Sequence, residues 1–166
     1  MKKMMMVLAA VAVCTVLIES ASAQDNATQN LTLAVNAVYK IATSGNPGAL
    51  TITTGTAGTD ALTAVSDNST TYSITQNFAS TVKITANLDA ALPAGYGLSI
   101  NLGSSKGTSA GTVDISNATS GSALNVVTAI NKGADAGQAI GYSFSALASA
   151  GTLSSTSKTV TLTLTN

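Results

Sequence analysis

Beyond residue 23 the chain contains no cysteine, histidine, tryptophan, arginine or glutamate. Each absence removes a class of behaviour. Without cysteine no disulfide closes the fold, so packing and backbone pairing must hold it. Zinc and copper lose their usual ligands when cysteine and histidine are both missing. Nucleophilic catalysis loses its ordinary general base with histidine. Five lysines stand against six aspartates after residue 23, a net charge of 5 − 6 = −1. Such a surface offers no patch to neutralise phosphates, which excludes nucleic acid as a partner. Aromatic residues are scarce as well, two phenylalanines and four tyrosines, too few for the girdles of a membrane barrel.

Few enzymatic routes survive these exclusions. A serine with a lysine base would have to come from "SSKG" at 104–107 or "SSTSK" at 154–158, glycine-rich or strand-edge positions where solvated lysine is ordinary. The six aspartates are spread one to a loop or strand, so no carboxylate pair is set up for glycoside hydrolysis. Asp60, Asp67 and Asn68 supply oxygens around one stretch, but "SDNST" is also an ordinary turn sequence, and whether they bind calcium is left open. The sequence is read as that of a non-enzyme with no cofactor and no metal site.

What is present begins with a tripartite leader. In "MKKMMMVLAAVAVCTVLIESASA", residues 1–23, Lys2 and Lys3 precede an apolar stretch from Met4 to Ile18, and Ala21-Ser22-Ala23 forms a small-residue cleavage site. The apolar stretch falls short of the roughly 20 residues of a spanning helix. Residues 1–23 are therefore expected to be a signal peptide and 24–166 a single β-sandwich domain. Export to the cell exterior or surface follows, with no membrane insertion after cleavage. The one cysteine, Cys14, lies in the leader.

Past the leader, apolar residues recur at every second position, the mark of half-buried strands. Leu31, Leu33, Val35, Ala37, Tyr39 and Ile41 alternate with polar or small residues. Leu50 and Ile52, then Tyr72 and Ile74, then Val82 to Leu88, repeat the pattern, as do "LSINL" at 98–102, "TVDIS" at 112–116, "QAIGYSFSAL" at 138–147 and the terminal "KTVTLTLTN". The strands at 71–75 and 81–88, joined by "QNFAS", read as a hairpin. One segment departs: Leu124, Val127 and Ile130 recur every three residues before Gly133, which predicts a short helix or irregular crossover over 122–133. Threonine and serine make up 42 of the 143 residues after the leader, and threonine is β-branched yet polar, suited to exposed sheet faces. The expected fold is all-β, an immunoglobulin-like antiparallel sandwich of about eight or nine strands.

The first and last strands are the cleanest, and neither carries the charge, proline or bulge with which sheets blunt an edge; only Lys40 interrupts, near the end of the first. Pairing the two within one subunit hides both edges. Giving the first to a neighbour is the other solution. The layout of leader, "ATQNLTLAVNAVYKI", a Thr-, Ser- and Gly-rich β domain and "TVTLTLTN" resembles secreted fimbrial or coat-type subunits. That resemblance implies immunoglobulin-like domains that polymerise by strand donation. The chain departs from it in lacking a disulfide and a penultimate aromatic in the last strand.

The function expected is that of a non-enzymatic structural subunit of a bacterial surface filament, pilus or extracellular matrix. It would self-assemble into a homopolymer through Leu31, Leu33, Val35, Ala37, Tyr39 and Ile41, the candidate assembly strand. The alternative is a monomeric adhesin or carbohydrate-binding module. Its partner would be a surface glycan and its contact residue Tyr96, in "PAGYGL".

Overall fold

A computed structural model describes residues 25–166; the leader at 1–23 lies outside them. Val35–Asn166 make up one compact unit. Residues 25–34 fall outside it and carry no strand.

Among the described residues nine strands form two antiparallel sheets, as the alternation predicts. They are β1 (Tyr39–Thr43), β2 (Val65–Gln76), β3 (Val82–Leu88), β4 (Tyr96–Leu102), β5 (Thr108–Ser109), β6 (Val113–Asp114), β7 (Leu124–Ile130), β8 (Gly133–Ala146) and β9 (Val160–Thr165). One sheet runs β1-β2-β8-β4-β6, the other β5-β7-β3-β9. Between them lie the inward halves of the alternating strands: Tyr72 and Ile74, then Val82, Ile84, Ala86 and Leu88, then Ile100 and Leu102, then Ile130 and Ile140, each 3 % exposed or less. Residues of β3 alternate without interruption between fully buried and half-buried, because β7 and β9 flank this strand on both sides.

A constant-type immunoglobulin sandwich carries strands A, B, E and D in one sheet and C, F and G in the other. Reading β1-β2-β8-β4 as A-B-E-D, and β3-β9 as C-F, reproduces that order. Strand β6 and the pair β5-β7 extend the sheets on the far side. No strand among the described residues takes the place of G, on the outer edge of β9.

Four expectations are corrected. Segment 122–133 holds strand β7, not a helix. The three-residue recurrence arises because β7 is bulged against β3, with register shifts on either side of Ile84. Val126 and Val127 both turn into the core, and Ala129 takes a positive φ of 52°. The turn expected at 66–70 is part of β2, which absorbs the extra residues in a bulge between Asp67 and Thr70. Strands β2 and β3 do not form a hairpin: β2 pairs with β1 and β8 while β3 pairs with β7 and β9, so "QNFAS" carries the chain from one sheet to the other. Residues 49–54 are not a strand, although Leu50 packs against the core.

The crossing from β2 to β3 is fixed by Gln76, 1 % exposed. Its side-chain amide nitrogen, Nε2, donates to the Ile130 carbonyl at 3.3 Å in the opposite sheet. Its Oε1 accepts from the Phe78 backbone N–H at 2.7 Å. A buried amide thus has partners for both its ends, as the low-polarity interior demands.

Thr70 is the opposite case. It is 4 % exposed and its hydroxyl has no hydrogen-bond partner. Thr70→Val keeps the shape and removes the unpaired group, so it is expected to raise stability by about 1 kcal/mol. A higher denaturant midpoint at unchanged slope is the measured sign; a lower midpoint contradicts it.

Candidate assembly site

The structure divides the six candidate assembly residues into two groups. Tyr39 and Ile41 lie in β1, half-buried, and pack on the core of their own sandwich. Leu31, Leu33 and Val35 are exposed at 80 %, 81 % and 88 %, and Ala37 is also exposed and outside any strand. The strand expected over 31–41 is paired only from Tyr39 because β2, its one neighbour, ends at Gln76 opposite Tyr39. Beyond that point a single backbone bond remains, between Asn77 and Val38.

One side chain continues the ladder by a step. The Asn77 backbone N–H donates to the Val38 carbonyl at 3.3 Å. Val38 N–H donates to Asn77 Oδ1 at 2.7 Å, and Asn77 Nδ2 donates to the Asn36 carbonyl at 2.9 Å. Next to this clamp the Tyr39 and Phe78 rings meet with centroids 5.3 Å apart. Nothing in the spacing of the sequence marks Asn77 out, since asparagine after a strand is an ordinary turn residue.

The other terminal strand, β9, pairs with β3 through all six of its residues and, among the described residues, with no other strand. It is not paired with β1. The two strands close opposite sheets and come near each other on the same side of the sandwich, which overturns the idea that they hide each other's edges in one ladder. Val160, Leu162 and Leu164 are only half-buried, on the rim of the core. The remaining edges are blunted: β5 and β6 have two residues each, and β1 carries Lys40. From Thr159 to Asn166 there is no charge, proline or glycine. A clean edge of this kind is what sheets otherwise avoid leaving open.

The residues weighed for other chemistry serve to fix loops. Tyr96, the candidate glycan contact, begins β4. Its ring stacks on Phe144 with centroids 6.4 Å apart, and its hydroxyl donates to the Ala150 carbonyl at 3.2 Å, so it is not a free aromatic platform. Asp60 accepts from Ser149 N–H and Oγ, and Asp67 from Ser69 and Gly48. Among the described residues no three acidic side chains gather as a metal site would need. Lys158 of "SSTSK" donates to the carbonyls of Ala90 and Ala91. Ser104 and Ser105 of "SSKG" both donate to Asp135.

Among the described residues Asp135 is the one buried carboxylate, 2 % exposed. It also accepts from the backbone N–H groups of Ser105 and Lys106, at 2.9 and 3.2 Å. Burial pushes its pKa upward, but the hydrogen bonds from Ser105, Ser104 and the two backbone donors outweigh burial and hold it below the ordinary value. Asp67 and Asp114 are likewise lowered, each chiefly by a serine hydroxyl two residues on.

Compared with known proteins, the chain matches no family model, no curated protein and no solved structure.

A carboxyl with a depressed folded pKa stabilises the fold above its unfolded value and loses that contribution as pH falls through the folded value. The denaturant midpoint is therefore expected to fall as pH drops from about 5 to about 2. Asp135→Asn should flatten part of that fall, because the amide cannot ionise. An acid limb identical in the variant and the parent contradicts the role given to Asp135.

Proposed function

We propose that the protein is a non-enzymatic structural subunit that polymerises outside the cell by donating residues 31–37 to the open edge of β9 on a neighbouring copy. The observation that carries this reading is the simultaneous display of both halves of a joint. Leu31, Leu33 and Val35 stand more than three-quarters exposed on an uncharged segment, while β9 offers an uncharged edge with Val160, Leu162 and Leu164 half-covered beside it. Both repeat every two residues. Their lengths match as well, since six or seven extended residues span about 20 Å.

The place that would be filled is that of strand G in an immunoglobulin sandwich. Each Leu or Val anchor gains about 1.5 to 3 kcal/mol on burial, and main-chain hydrogen bonds to β9 supply the register. Association itself costs several kcal/mol, so three anchors and a ladder together are what a lasting joint requires. The leader at 1–23 and the reliance on packing alone suit a surface filament or matrix. An adhesive role centred on Tyr96 has less support, because that ring is engaged with Phe144.

The double variant Leu33→Asp with Val35→Asp is expected to abolish polymers, seen by electron microscopy and light scattering, and to leave the sandwich folded. Compact monomers of the unaltered protein at every concentration, with residues 30–41 protected from amide exchange, overturn the reading.

A further inference from the structure

An arm attached to the subunit that bears its target faces a competing outcome: insertion into its own β9. A flexible tether of a few residues presents its end at an effective concentration of order millimolar. Neighbouring copies at micromolar concentration lose that contest by about a thousandfold unless the tether cannot make the turn. The tether here is short, because β1 itself comes near β9. A subunit that polymerises therefore needs a feature that forbids reversal at the root of its arm.

The clamp around Asn77 has the required form. We propose that Asn77 is a positioning residue that commits the arm to another copy: its carboxamide holds Asn36 to Val38 in line with β1, so the chain cannot reverse there. Both faces of the amide are used, Oδ1 accepting from Val38 and Nδ2 donating to Asn36. The pair Val38–Asn77 continues the register of Tyr39 opposite Gln76. Asn77 is itself held from both sides. Gln76 before it is buried and bonded across to Ile130, and Phe78 after it is tied by its N–H to Gln76 and by its ring to Tyr39. An exposed asparagine in this setting is a rigid post, and a change of its side chain removes two of the three hydrogen bonds at the root of the arm, leaving only the backbone bond to the Val38 carbonyl. A reversal farther along the arm would leave Val35 and Ala37 out of the joint, with Leu31 and Leu33 alone to anchor it.

This inference rests on the strand-donation reading, and its test separates the two. The protein recovered from the producing cells is compared with Asn77→Ala, and with Asn77→Asp, which keeps an acceptor for Val38 but loses the donor to Asn36. At about 10 μM, Asn77→Ala is expected to lower polymer mass at least about tenfold in favour of closed monomers. In those monomers the amides of residues 31–37 should be protected, to an extent that does not vary with concentration. Asn77→Asp should shift in the same direction by a smaller factor, and as a near-isosteric change it keeps the measurement meaningful if the alanine variant unfolds. Polymer yields equal to the parent in both variants, or variant monomers whose arm amides exchange freely, overturn the role of Asn77 and leave strand donation standing. Failure of the parent to polymerise, with its own arm protected in a monomer, overturns both.

Discussion

A strand inside an antiparallel sheet is complete only when its backbone groups are paired on both sides, and β9 is paired on one. The consequences spread through the molecule. Strand β3 is covered on both flanks and its inner residues are wholly buried, whereas β9, one place further out, leaves Val160, Leu162 and Leu164 half-covered. On the far side the sheets end in strands of two residues, too short to recruit a partner. Of the two longer edge strands, β1 carries Lys40, whereas β9 has none of the charges or prolines that normally protect an edge.

The polar residues do a different task. Serines, threonines and aspartates close loops through short-range hydrogen bonds: Asp135 ties down residues 104–106, and Asp60 holds the turn at Ser149. Gln76 joins the two sheets where β2 crosses over. With no disulfide available, these contacts and the core between the sheets carry the whole burden of specifying one structure.

The fold was legible from alternation because each long strand has one wet face and one dry face; β3, β4 and β9 sit where period-two patterning places them. Legibility failed where a bulge breaks the period. Val126 and Val127 point inward together, which turns a two-residue repeat into an apparent helical one over 124–130. It failed again at 66–70, where Asp67, Asn68 and Ser69 have the composition of a turn but are carried within β2 by its neighbour β8. Pairing of β2 with β8 links residues some seventy positions apart, and no local window contains it.

The site was half-legible. Alternation marked residues 31–41 as one unit, yet the structure splits them at Tyr39, because where a strand stops pairing depends on where its neighbour ends. The open edge of β9 depends on sheet order, which periodicity does not encode. Asn77 depends on geometry alone.

The most direct test of the central claim is a cross-link between copies. One population carries Val35→Cys and a second carries Leu162→Cys; beyond residue 23 the chain contains no other cysteine. After co-assembly and mild oxidation, the account predicts a disulfide that joins one copy of each population. Assemblies that form normally yet yield no such cross-link, with cysteine placed in turn at positions 161 to 164, would contradict it.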